Sequence, residues 1–150
     1  MSLRAKVLTV SDGVIAGTRD DKSGAALVER LSAAGYEVVD RRAVADGVDS
    51  VAGAVRELLV VTTGGTGFAP RDLTPEGTGA VLDREAPGLA EAMRLVSPKG
   101  RLSRGLAGTA GRALVLNAPG SHAGAVECLE AVLDVLPHAL ALLAEEPTEH

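Results

Sequence analysis

The run Thr62-Thr63-Gly64-Gly65-Thr66-Gly67 has the residue types of an anion cradle. Gly64, Gly65 and Gly67 let backbone N–H groups point into one concavity without Cβ clashes. Thr62, Thr63 and Thr66 add hydroxyl donors. The run is not a Walker A loop, because no Gly-Lys-Ser/Thr follows it, and it lacks the dinucleotide fingerprint, because Pro70 stands where the third glycine should be. A glycine-rich turn by itself is often a plain connection. With Arg71-Asp72 and the helix start Thr74-Pro75-Glu76 behind it, this one reads as a phosphate-binding loop.

Three carboxylates, Asp12, Asp46 and Asp72, each follow a different apolar run. Beside a phosphate loop, such carboxylates suggest Mg²⁺ held jointly by protein and substrate phosphates. For Asp12 and Asp46 the plain alternative is turn stabilisation. Lys99, Arg101, Arg104 and Arg112 form either an anion clamp or a solvated surface. His122 sits at a helix start, where it reads as exposed, and Cys128 in an apolar helix reads as a small core residue.

The elements that position these residues alternate. Lys6–Val10 reads as a strand ending at Ser11-Asp12-Gly13, followed by a helix capped by Ser23 and closed by Gly35. Tyr36–Val44 is a second strand, Val48–Leu58 a helix, and Leu59–Thr62 a third strand running into the glycine loop. Helices follow from Thr74 and over Pro87–Val96, then a long loop over Ser97–Gly111. Ala113–Leu116 is a strand stopped by Asn117-Ala118-Pro119-Gly120, and Ala123–Leu136 is a helix broken by Pro137. Alternating strands and helices imply an α/β fold: three layers, a mostly parallel sheet with helices on both faces, and one domain over residues 1–150. Ligands of such sheets sit beyond the carboxyl ends of the strands. Ser11-Asp12, Asp46, Thr63–Gly67 and Pro119-Gly120 should therefore share one rim.

Composition narrows the partners. A net charge of −5 gives no basic footprint for nucleic acid. A single cysteine excludes an internal disulfide and a thiolate metal cluster. No apolar run approaches the ~20 residues that cross a bilayer, and Arg4–Val10 is too short for a signal peptide. The expected setting is the cytoplasm. Tyr36 and Phe68 are the only aromatic residues, so the core must be Val, Leu and Ala.

Several ordered motifs resemble the MoaB/Mog family. They are Thr9-Val10-Ser11-Asp12, Asp21-Lys22-Ser23-Gly24, Thr62 through Asp72, Thr74-Pro75-Glu76, Leu102-Ser103-Arg104, Asn117 with Pro119-Gly120-Ser121, and Leu136-Pro137-His138. The resemblance spans about Lys6 to Leu143. It implies a molybdopterin-binding fold that adenylylates molybdopterin from Mg-ATP and releases pyrophosphate, ahead of molybdate insertion. By residue-to-residue match, Asp46 and Asp72 take the positions of the family's essential acids, which organise the metal and nucleotide. Thr63, Gly64, Gly65, Thr66 and Gly67 would cradle phosphate. Ser11, Ser103 and Ser121, with Asp12, Pro119 and Gly120, would lie along the pterin and nucleotide groove. A homotrimer and a downstream molybdate-insertion partner are also implied.

Three features depart from the family pattern. His122 stands where proline is usual, Gly77 and Gly79 loosen a helix start, and the segment from Val48 to Val61 leaves almost no connection between helix and strand, where such units usually allow ~2–6 residues. The rival functions are a non-catalytic pterin- or nucleotide-binding homologue, a scaffold module of the same fold, and a nucleotide hydrolase. Retention of Asp46 and Asp72 argues against the first.

Overall fold

The structure, a computed structural model, describes residues 2–44 and 58–149. It is built on a six-stranded sheet with strands β1 (Arg4–Val10), β2 (Glu37–Val44), β3 (Leu58–Thr63), β4 (Arg84–Glu85), β5 (Ala107–Ala110) and β6 (Ala113–Ala118). Their spatial order is β2-β1-β3-β6-β5-β4. β1 pairs in parallel with β2 and β3, and β3 with β6, while β5 runs antiparallel to both β6 and β4. The mostly parallel α/β sheet expected from the sequence is therefore the fold.

β3 and β6 are buried along their whole length, as central parallel strands with both faces covered must be. The side-chain period of two splits them cleanly. Leu59, Val61, Leu114 and Leu116 face the larger core, which they share with Leu27 and Leu31 of α2 (Lys22–Ala33) and Ala125 and Leu129 of α5 (His122–Glu130). Ala90 and Met93 of α4 (Pro87–Arg94) and Leu136 and Leu140 of α6 (Leu136–Leu143) complete that layer. Leu58, Val60, Ala113 and Val115 face the other way. There Asn117 donates its amide protons to Thr62 Oγ1 (2.9 Å) and to Thr78 Oγ1 (3.0 Å) of α3 (Thr74–Val81) and accepts from Leu106 N–H (3.0 Å). That network ties α3 to the second face. A short helix, α1 (Asp12–Ile15), follows β1.

Several local readings need correction. The cap of α2 is Asp21, whose carboxylate accepts Gly24 N–H at 3.0 Å; Ser23 lies inside the helix. Asp21 wins because Thr9 Oγ1 and Arg41 hold the same carboxylate in place. Gly35, at φ +89°, does end that helix as expected. Thr74 opens α3 as expected, but its hydroxyl donates to Gly64 O at 3.0 Å and the helix starts without a side-chain cap. The long loop contains a 3₁₀ turn (Pro98–Leu102) and the strand β5, which its Gly and Ala content did not announce. The helix from Ala123 ends at Glu130, and Pro137 opens α6 rather than breaking a helix, its preferred place in a first turn. The expected helix over Val48–Leu58, its short connection and Asp46 lie outside the described residues, except that Leu58 begins β3.

The Asn117 network predicts a stability cost. Asn117→Ala strips a buried N–H and two hydroxyls of their partner, so unfolding should cost about 1–3 kcal/mol less. The melting temperature should fall by about 2–4 °C per kcal/mol for a chain of this size. Thermal unfolding followed by circular dichroism checks it, and an unchanged midpoint would contradict the assignment.

Candidate active site

The chain leaves β1 towards β2 on one side and β3 towards β6 on the other, so the topology switches between β1 and β3. That is where an open α/β sheet holds a ligand. The loops after β1, β3 and β6 meet there and wall a cleft of about 810 Å³. Ser11, Thr63–Gly67, Asp72, Ser103 and Pro119–Ser121 all line it. Of the strand-end rim expected from the sequence, Ser11, Thr63–Gly67 and Pro119-Gly120 share this surface; Asp12 is not on its wall, and Asp46 lies outside the described residues. A second cavity of about 210 Å³, lined more by Ala90, Met93, Val96 and Cys128, adjoins the cleft across Lys99, Ser103, Pro119 and Ser121.

The glycine loop is held by its carbonyl oxygens. Gly64 O accepts from the Thr74 hydroxyl and Gly65 O from Thr74 N–H (3.1 Å). Thr66 O accepts from Arg104 N–H at 2.8 Å, and Gly67 O from Arg104 Nε at 2.7 Å. The same guanidinium donates to Asp72 O and pairs with Glu76. Gly64 N–H is taken by Ala118 O (3.1 Å). Among the described residues no acceptor takes the N–H of Gly65, Thr66 or Gly67. With four successive carbonyls tied back, the loop offers its amides to the cleft, the polarity that suits an anion. Side chains would not fit here. Gly64, at φ +98°, would put a Cβ 2.3 Å from Val10 O, and a Cβ on Gly67 would sit 2.9 Å from Asp72 Oδ2.

Thr62 and Thr63 are turned away from the role of ligand donors. Thr63 Oγ1 donates to Pro119 O at 2.7 Å, binding the β3 and β6 loops together, and Thr62 is buried in the Asn117 network. Asp72 stands on the cleft wall with Oδ2 accepting Ala69 N–H at 2.9 Å. Asp12 is engaged in a two-pronged pair with Arg71 (2.7 and 3.2 Å), joining the first loop to the glycine loop. Ser11 and Ser121 cap α1 and α5, and Ser103 Oγ accepts Gly105 N–H at 3.1 Å.

The basic set divides. Lys99 reaches both cavities, Arg104 grips the loop, Arg101 turns to Pro98 O, and Arg112 pairs with Glu145. Sequence reasoning did not single out Arg19, between α1 and α2, or Lys22, the first residue of α2, both of which line the cleft; His122, exposed as expected, stands on the same wall. The signal available was position: Arg19 and Lys22 follow a rim loop directly. The hydrogen bond from Arg104 holds the Glu76 carboxyl below the usual range, so this pair stays ionised into mild acid. Cys128 is buried as expected, its Sγ donating to Met93 O; burial pushes its thiol up to about 11 and keeps it protonated. Among the described residues no group of three or more His, Cys, Asp or Glu could hold a metal ion unaided.

Backbone amides, three cations (Arg19, Lys22, Lys99) and two carboxylates (Asp20, Asp72) line one strand-end cleft of an α/β protein, a lining suited to a phosphorylated ligand. Residues 6–138 match the family described as "Probable molybdopterin binding domain", and the chain belongs to that family. It is 38% identical over 150 residues to the molybdopterin adenylyltransferase of Helicobacter pylori strain J99, covering 91% of this chain and 85% of that one. It is 37% identical over 158 residues to the molybdenum cofactor synthesis protein cinnamon of Drosophila melanogaster, where the match covers 97% of this chain but only 26% of that protein. The crystal structure of the molybdopterin biosynthesis enzyme MoaB from Thermus thermophilus superposes with a TM-score of 0.84 at 46% identity, covering 98% of this chain and 99% of that one.

Two glycine substitutions should separate site from scaffold. Gly64→Ala meets a backbone oxygen and a left-handed φ, and should cost about 1–3 kcal/mol together with phosphate binding. Gly79→Ala, inside α3 with only Leu106 Cδ1 at 3.6 Å, should instead add about 1 kcal/mol of stability. Urea unfolding of both variants checks this; equal effects would show that the loop conformation is not constrained.

Proposed function

We propose that the chain is a molybdopterin adenylyltransferase of molybdenum cofactor synthesis, using ATP and Mg²⁺. The observation that carries this reading is the cleft-lining loop whose four carbonyls are tied back and whose Gly65, Thr66 and Gly67 N–H groups have no acceptor among the described residues, beside Asp72. In the reaction, a phosphate oxygen of molybdopterin forms a bond to the α-phosphorus of ATP, the bond from that phosphorus to the bridging oxygen breaks, and pyrophosphate leaves. Such transfer needs in-line positioning and neutralisation of charge rather than a covalent nucleophile. The walls answer that need. Gly65, Thr66 and Gly67 amides receive phosphate oxygens, while Arg19, Lys22 and Lys99 neutralise the polyphosphate. The apolar side chamber takes the flat pterin, with Ser103 and Ser121 at the junction of the two cavities.

Mg²⁺ usually takes one or two carboxylates and completes its shell with water and substrate phosphates. Asp72, a carboxylate on the wall with one oxygen anchored by Ala69 N–H, fits that donor set. When bound, the ion would neutralise charge on the substrate phosphates during the transfer. By resemblance Asp46 shares this task. The same reading makes residues 1–150 one molybdopterin-binding domain that works in the cytoplasm as a homotrimer and passes its product to a molybdate-insertion protein. No helix among the described residues is long and apolar enough to cross a membrane.

The test is Asp72→Asn, with Asp46→Asn beside it. Asparagine keeps an oxygen to accept Ala69 N–H, so folding should persist, while Mg-dependent adenylyl transfer should fall by about 10²-fold or more. Molybdopterin affinity, resting on the side chamber, should stay close to that of the unsubstituted protein. Full transfer activity in either variant would remove that residue from the mechanism.

A further inference from the structure

We propose that Arg104 is a positioning residue for the transfer: its guanidinium holds the glycine loop from behind and so aims the amides that grip phosphate. This rests on the loop being the phosphate subsite. Arg104 does not line the cleft, so it acts through the loop rather than on the ligand. One residue takes Thr66 O with its backbone N–H, Gly67 O with Nε and Asp72 O with Nη2, while Nη1 pairs with Glu76 at the first turn of α3. It therefore spans both the amides and the backbone of the carboxylate Asp72.

The chemistry demands arginine in particular. A guanidinium carries five donors in a rigid plane and can satisfy two carbonyls and a carboxylate at fixed angles, whereas an ammonium is a point charge on a flexible stem. Glycine resists neither peptide orientation. Without the fork, the Gly67 carbonyl is free to swing towards the cleft, where it would repel the anion the amides attract. Glu76 balances the charge of Arg104, so the contribution is geometric and not a long-range pull on polyphosphate. Arg71-Asp12, the other arginine pair near the loop, joins the loop after β1 to the glycine loop.

The full chain, unsubstituted and as Arg104→Leu and Arg104→Lys, is titrated calorimetrically with pyrophosphate in Mg²⁺, and its transfer kinetics are measured with ATP and molybdopterin varied separately. Loss of charge-assisted bonds to the loop should weaken pyrophosphate by about 10-fold or more in Arg104→Leu. Because the charge alone does not set the fork, Arg104→Lys should recover less than about half of that loss on a logarithmic scale. The KM for ATP should rise and kcat fall, while the KM for molybdopterin stays put. Millimolar guanidinium should restore part of the pyrophosphate affinity to Arg104→Ala. A folded Arg104→Leu that binds pyrophosphate as the unsubstituted chain does would overturn the proposal, as would full recovery in Arg104→Lys. Should the leucine variant not fold, the lysine variant decides. If the unsubstituted chain binds no pyrophosphate, the phosphate-subsite reading falls and takes this inference with it; if it binds and the variants bind equally, this inference alone falls.

Discussion

Four consecutive carbonyl oxygens, from Gly64 to Gly67, are held by two residues, Thr74 and Arg104. The polarity of the site follows from that restraint. A peptide unit has one donor end and one acceptor end, and fixing the acceptors on the protein side leaves the donors for the cleft. The neighbouring elements serve this arrangement. Gly64 packs on Val10 O and on Gly120 because neither glycine has a side chain, Thr63 straps the β3 loop to Pro119, and the Asn117 network locks α3, which carries Thr74 and Glu76, onto the sheet. A site made of backbone is rigid only if its second layer is, and here that layer is a set of hydrogen bonds from Thr74 and Arg104 with one arginine–glutamate ion pair.

The sheet was legible because buried parallel strands read as plain apolar runs: Lys6–Val10 and Ala113–Leu116 appear in the sequence almost at their observed bounds. The strand-end rim followed from topology alone, and Ser11, Thr63–Gly67 and Pro119-Gly120 share the cleft as that rule requires, whereas Asp12 turns to Arg71. The two short antiparallel strands beyond β6 were not legible. β4 is two residues long and β5 is Ala-Gly-Thr-Ala, with neither β-branched enrichment nor alternation to mark them. Helix ends also misled, because Asp21 and Ser23 are equally good caps by type, and only contacts from Thr9 and Arg41, distant in sequence, select Asp21.

Side-chain roles in the site divided on the same line. The backbone function of the glycines depends on local sequence and could be read. The functions of Thr63, Thr74 and Arg104 depend on partners that are 56, 10 and 37 residues away, and residue type does not reveal them. Threonines expected as ligand donors proved to be straps, and an arginine that could have been surface proved to be the anchor of the loop. Arg19 and Lys22 entered the wall because the connection from α1 and the first residue of α2 lie beside the loop after β1.

The central claim is that the outward amides of the glycine loop are the phosphate site. Backbone amide resonances of uniformly ¹⁵N-labelled protein, followed during a titration with pyrophosphate and Mg²⁺, test it most directly. The account predicts that the largest shifts, all with one saturation curve, fall on Gly65, Thr66 and Gly67, with Gly64 moving less because Ala118 O holds its N–H. Saturable binding that leaves these three amides unmoved would contradict it.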